Sequence, residues 1–163
     1  MKITLSHGSG GKATAQLIDS IFATAFSNPV LNMMEDSAVV DGNSKIAVTT
    51  DSFVVTPLIF KGGDIGRLAV CGTVNDLLMR GATPKYITSA FIIEEGADTD
   101  TLKQIARSMA DTAAEGFKIV DKRLPFAPDR NGIDTKLEVR VYNLFHHALC
   151  GREVMDKIAF GRL

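Results

Sequence analysis

Cysteine is scarce in this sequence: Cys71 and Cys150 are the only two in 163 residues. They fit no CxxC or Cys/His spacing, which gives no cysteine-based metal site, and a pair so far apart reads as two buried thiols in a reducing compartment rather than a disulfide. Long apolar runs are missing as well. Ile46–Val48 and Phe53–Val55 are far too short to span a bilayer, and the N-terminus lacks the apolar run of a signal peptide. The expectation is a cytoplasmic chain without membrane contact. Nor is there an excess of one charge: 18 Lys+Arg against 19 Asp+Glu leave a formal net charge of −1, which argues against general nucleic-acid binding, since that needs a basic surface to displace counterions from phosphates.

What is present suffices for a core. With 45% hydrophobic and 23% charged residues, a chain of this length buries one substantial core and reads as one compact domain. Charge is unevenly spread, however. Met1–Gly116 carries 9 basic and 13 acidic side chains, whereas Phe117–Leu163 carries 9 and 6. The change of sign, with Pro125 and Pro128 close behind, marks a boundary near residue 120. Residues 1–120 are taken as the main domain and 121–163 as a divergent segment, with a strand over Lys136–Tyr142 and a short helix over His146–Phe160.

Along the chain, Ser6-His7-Gly8-Ser9-Gly10-Gly11 is a loop, because three glycines in four positions disfavour helix or strand. Leu17, Ile18, Ile21, Phe22 and Ala25 recur at helical spacing, so Lys12 to about Phe26 is an amphipathic helix stopped by Asn28-Pro29. Ser37–Val40 and Lys45–Thr50, joined by Asp41-Gly42-Asn43, suit a hairpin; Phe53–Phe60 is a third strand, kept to an edge or a strand end by Pro57. Asp64 caps a helix whose face collects Ile65, Leu68, Ala69, Gly72, Asp76 and Met79 before Gly81 ends it. Tyr86–Ile93 follows as a strand, then Thr101–Glu115 as a helix capped by Asp98 or Thr99 and stopped by Gly116.

Two constellations point to chemistry. Consecutive N–H groups in a glycine turn ahead of a helix form an anion cradle, and Lys12 at the helix start opposes the helix dipole unless an anion sits there. The loop is not a P-loop: Ala13 follows Gly11-Lys12, and Ser6 stands where the upstream glycine belongs. It fits the permissive dinucleotide form, but Asn28-Pro29 and Met33-Met34 replace the expected strand and acidic residue. A flexible N-terminal linker is the plain alternative. The second constellation is a dispersed set of carboxylates beside apolar sequence, Asp36, Asp51 and Asp76. Acids at strand ends plus one on a facing helix suit magnesium held against nucleotide phosphates, whereas each acid by itself is an ordinary cap or turn residue. His7 beside the glycines is a candidate phosphate contact or a plain solvated side chain. His146-His147 has no third ligand, and adjacent helical residues point apart.

The segments Leu5-Ser6-His7-Gly8-Ser9-Gly10-Gly11, Glu35-Asp36, Thr50-Asp51-Ser52-Phe53-Val54-Val55 with Pro57-Leu58, Gly62-Gly63-Asp64-Ile65-Gly66, Cys71-Gly72-Thr73-Val74-Asn75-Asp76, Gly81-Ala82 and Phe91-Ile92-Ile93-Glu94-Glu95-Gly96 resemble, in order and spacing, the HypE family of hydrogenase maturation proteins. That family lies within the superfamily of aminoimidazole ribonucleotide (AIR) synthetases and selenophosphate synthetases. The resemblance covers about two-thirds of the chain but only the first third of a full-length member.

It implies an α+β fold of the AIR-synthetase N-terminal-domain type, a mostly antiparallel sheet with helices packed on one side, paired through that sheet as a homodimer. It also implies ATP and Mg2+ as cofactors. His7, Gly8, Ser9, Gly10, Gly11, Lys12 and Asn75 would bind nucleotide, and Asp36, Asp51 and Asp76 the metal. The family reaction is ATP-dependent dehydration of a carbamoyl thioester to a thiocyanate, the source of the cyanide ligands of nickel–iron hydrogenase. Its partners are the carbamoyltransferase and the iron-centre scaffold proteins. The family's Gly-Asp-Thr-Lys segment and cysteine-bearing tail find no match here, so the expectation is a truncated form retaining the ATP-side motifs. The alternatives are an inactive binding or dimerisation module of the same fold, or another superfamily enzyme such as a selenophosphate synthetase.

Overall fold

The helix expected after the glycine loop forms. The computed structural model describes residues 1–42, 44–123 and 140–142, giving for 116–123 and 140–142 the backbone alone. In it α1 (Lys12–Leu17) continues through a π-helical stretch, Ile18–Ala23. Leu17, Ile21, Phe22 and Phe26 are buried along this helix, and the Phe22 ring meets Phe91 at a centroid distance of 4.6 Å. Asn28 ends the helix by a local mechanism: its amide donates to the Phe26 carbonyl at 2.9 Å while Oδ1 accepts the Val30 and Leu31 N–H groups at 3.1 and 3.0 Å.

Two later helices complete the core. Asp64 caps α2 (Ile65–Met79), its carboxylate accepting the Arg67 N–H at 2.9 Å. At the other end Gly81 takes φ 69°, and the N–H groups of Gly81 and Ala82 reach back to the Leu78 and Leu77 carbonyls, a Schellman closure that needs a residue tolerant of positive φ. α3 (Thr99–Arg123) begins beside Asp98 and buries Leu102, Ile105, Ala106, Met109 and Ala113, spaced on one helical stripe. Burying side chains of this size stabilises by about 1.5–3 kcal/mol each, so the α1–α2–α3 contact is the main favourable term. The helices cross closely because position 66 is glycine: a Cβ there would lie 2.6 Å from the Ile105 carbonyl oxygen and 2.7 Å from Met109 Cγ.

The fold is α+β. β1 (Ile59–Phe60) and β2 (Gly63–Asp64) pair antiparallel, starting only after Pro57, and β3 (Tyr86–Thr88) pairs parallel with β4 (Arg140–Tyr142), Tyr86 opposite Arg140. The N-terminus lies alongside the approach to α3: Ile3 donates to the Ala97 carbonyl at 2.9 Å and accepts the Gly96 N–H at 2.8 Å. Among the described residues no helix is long and apolar enough to cross a membrane.

Four local expectations are corrected. The hairpin over Ser37–Thr50 does not form a ladder among the described residues, and the strand expected over Phe53–Phe60 forms only at Ile59–Phe60; Val39, Ile46, Val48 and Val54 stand at 74–86% exposure. β propensity selects extended backbone, but a ladder also needs a partner edge. The strand at Tyr86 spans Tyr86–Thr88 rather than reaching Ile93. Helix α3 passes through Gly116, since a glycine within a helix costs about 1 kcal/mol and does not by itself end one. The face of α2 turned to α3 carries Gly66 and Val70, while Leu68, Asp76 and Met79 are exposed. This helix is apolar on more than one side, so periodicity does not single out the packed face. Of the expectations past residue 120, a loop over Asp121–Asp134 is helix instead at residues 121–123 and the strand over Lys136–Tyr142 is present at Arg140–Tyr142; the rest of both, the helix over His146–Phe160 and Cys150 lie outside the described residues.

Candidate functional site

The glycine loop is built by hydrogen bonds that its sequence hides. Leu5–Gly8 form a 3-10 turn in which His7 Nδ1 lies 3.1 Å from the Thr4 N and 3.0 Å from its Oγ1, closing the turn on itself. The Leu5 N–H donates to Glu95 Oε1 at 3.3 Å, tying the turn to Glu94-Glu95-Gly96. Gly10 follows at φ 76°. Thr14, buried in the first turn of α1, then fastens both ends: its Oγ1 donates to the His7 carbonyl at 2.8 Å and accepts the Gly10 N–H at 3.1 Å. Gly11 is the N-cap and brings no side-chain cap, and α1 has no acid in its first turn. The helix therefore opens with donor N–H groups and the Lys12 ammonium, a setting for an anion.

The carboxylates occupy a second region. Asp76 projects from α2 on an exposed position, and the Thr49 hydroxyl donates to its Oδ2 at 3.3 Å. Asp51 sits two residues further along the same extended segment. Thr49, Phe53 and Val55 are partly buried, while residues 50, 51, 52 and 54 are exposed. Phe53 lies over Gly72, one turn of α2 before Asp76: a Cβ on Gly72 would be 2.6 Å from the Phe53 Cζ. Asn75 is exposed next to Asp76, and Asp36 is exposed in the segment before the extended stretch.

Thus His7 and Gly10 are tied together by Thr14 ahead of Gly11 and Lys12, and Asp76 is met by Thr49, two residues before Asp51. Asp36 joins neither group through a hydrogen bond, and among the described residues no three of His, Cys, Asp or Glu stand close enough to hold a metal ion. The donor chemistry nevertheless suits magnesium. All three acids offer hard oxygens, and none is engaged by a Lys or Arg in the ion pairs of the described residues. Sequence reasoning missed Thr14, Thr49 and Phe53. The available signal was a hydroxyl four residues after Gly10.

Comparison with known proteins follows the same residues. Residues 34–120 match the family model described as AIR synthase related protein, N-terminal domain. The carbamoyl dehydratase HypE of Escherichia coli K12 is 50% identical over 125 residues, covering 72% of this chain and 37% of that protein. The carbamoyl dehydratase HypE of Rhodobacter capsulatus is 46% identical over 123 residues, covering 73% and 36%. Among solved structures, the hydrogenase maturation protein HypE in complex with ATP superposes with a TM-score of 0.67 at 39% identity, covering 85% of this chain and 37% of that one. A crystal structure of E. coli HypE superposes at 0.59 and 38% identity, covering 79% and 38%. The chain thus spans a little over a third of the length of the relatives it matches, and over that span it belongs to the AIR synthase-related family, within its HypE branch.

Proposed function

We propose that this chain is the nucleotide-binding part of a carbamoyl dehydratase of hydrogenase maturation. It would bind ATP with magnesium for the dehydration of a carbamoyl thioester to the thiocyanate from which hydrogenase cyanide ligands derive. One observation carries this reading: the glycine loop is held by Thr14 at the start of an uncapped helix bearing Lys12, in a chain that superposes on a HypE complexed with ATP. Backbone N–H groups at such a terminus favour phosphate oxygens, and the Lys12 ammonium adds charge. In this reading His7, Gly8, Ser9, Gly10, Gly11, Lys12 and Asn75 contact the nucleotide. Asp36, Asp51 and Asp76 supply oxygens to magnesium, which would neutralise phosphate charge when bound.

Residues 1–120 form the nucleotide unit in this proposal, and 121–163 a separate segment. The exposed apolar stretch with Val39, Ile46, Val48 and Val54 supports a homodimer through the sheet, because unpaired strand-like edges with apolar side chains are stable only when covered. Carbamoyltransferase and iron-centre scaffold proteins would be the further partners, and the cytoplasm the compartment. The same exposed stretch favours a second reading, a dimerisation module of this fold without catalysis.

Titration calorimetry of the full chain with ATP, with and without magnesium, separates the two. The dehydratase reading expects magnesium-dependent ATP binding that Asp76→Ala abolishes while the far-ultraviolet circular dichroism stays native. Binding unchanged in Asp76→Ala would remove the metal assignment, and a wild-type chain that dimerises without binding ATP would leave the module.

A further inference from the structure

Gly72 has no role in capping α2 or in its crossing with α3: it lies six residues past Gly66, inside the helix, where glycine costs about 1 kcal/mol relative to alanine. Its one close neighbour is the Phe53 ring, at 2.6 and 2.8 Å from where a Cβ would stand. Four residues on along α2 is Asp76, and four residues back along the extended segment is Thr49, whose hydroxyl donates to Asp76 at 3.3 Å. Positions 72 and 76 share a helical face, and Thr49 and Phe53 are both partly buried, whereas residues 50–52 between them are exposed. The segment therefore runs against the direction of α2 and touches it at two points, with Asp51 between them.

We propose that the Phe53–Gly72 contact is a clamp that sets Thr49 and Asp51 against Asp76, so that Gly72 and Phe53 are positioning residues for the two carboxylates. No β-ladder holds residues 49–55 among the described residues. Within a single chain the placement of Asp51 thus depends on the ring seated in the notch that a missing side chain leaves. A methyl group at 72 removes the notch and lifts the ring. A smaller side chain at 53 gives the space back. The consequence for magnesium rests on the nucleotide reading above, whereas the clamp itself does not.

Hydrogen–deuterium exchange over residues 49–55 of the full chain, without nucleotide, tests the clamp. Gly72→Ala should raise exchange there, and Gly72→Ala combined with Phe53→Leu should return it toward wild type. Unchanged exchange in Gly72→Ala, as when the ring only turns aside, overturns the clamp; so does equal exchange in the single and double variants. Calorimetry then reads the ratio of ATP affinity with and without magnesium, expected to fall roughly tenfold or more in Gly72→Ala and to recover in the double variant, since small displacements of binding groups carry penalties of that order. A wild-type chain with no magnesium-dependent ATP binding refutes the nucleotide reading and leaves the exchange result to decide the clamp. Intact magnesium dependence in Gly72→Ala with raised exchange refutes the positioning role.

Discussion

On the side of α2 that meets α3, Gly66 lies beneath a backbone carbonyl, that of Ile105, and is buried beside Val70 and Met109. On the side that meets residues 49–55, Gly72 lies beneath the ring of Phe53, half-buried, with the exposed Asp76 one turn away. Both positions exclude a Cβ, but what stands in the way differs. A carbonyl within a 25-residue helix moves only if the helix moves, whereas a ring on an extended segment moves with that segment. The first side therefore holds the fold, and the second is the side we propose positions a site. A helix glycine thus informs on function through the neighbour it admits.

The largest effect expected from that contrast is at Gly66. Gly66→Val drives a branched side chain into the α2–α3 crossing and should cost about 3 kcal/mol, the upper part of the range for overpacked cores, seen as a lowered urea midpoint. If Gly66→Val and Gly72→Ala lowered the midpoint equally, the division between the two sides of α2 would be lost. Below this comes the cap. Asp64→Ala removes the acceptor of the Arg67 N–H and should cost about 1 kcal/mol, as N-cap losses do; a midpoint identical to wild type would show that another group takes over the cap.

Legibility in the sequence follows the same line. α1, α2 and α3 are read correctly wherever a local chemical signal exists: Asn28 and Asp64 act through their own side chains, and Gly81 through its positive φ. Such signals act within a few residues, so one chain segment contains all the physics. The stretch from Ser37 to Leu58 is rich in strand-forming residues, but whether it pairs depends on an edge that its own sequence does not encode. In the candidate site the glycine loop is visible because glycines cluster. Thr14, Thr49 and Phe53 stay hidden, since a threonine or a phenylalanine becomes part of a site only through what folding brings opposite it. Asp76 is expected on the packed face but is exposed, because α2 offers apolar residues on more than one side.

The smallest expected effect lies on the fold side and concerns charge. Asp98 begins α3, and its carboxylate is held below the ordinary value of 3.8, first by the Asp100 N–H donating to it and then by the Thr101 N–H, the amino terminus and Lys2. Desolvation acts the other way, and charge effects at this partly exposed position are screened by salt. A carboxylate whose folded value is depressed stabilises the protein above its unfolded value, and that contribution disappears as pH falls through the folded value. Between neutral pH and pH 5 the urea midpoints of wild type and Asp98→Asn should therefore keep a constant small separation, the two converging as pH is lowered below 3.8. Lys2 lies 3.6 Å from Asp98 and both are exposed, so Lys2→Ala should narrow the separation only slightly, as exposed ion pairs contribute little. Should Lys2→Ala instead remove all of it, the helix cap would be incidental and the ion pair would be what joins the N-terminus to α3.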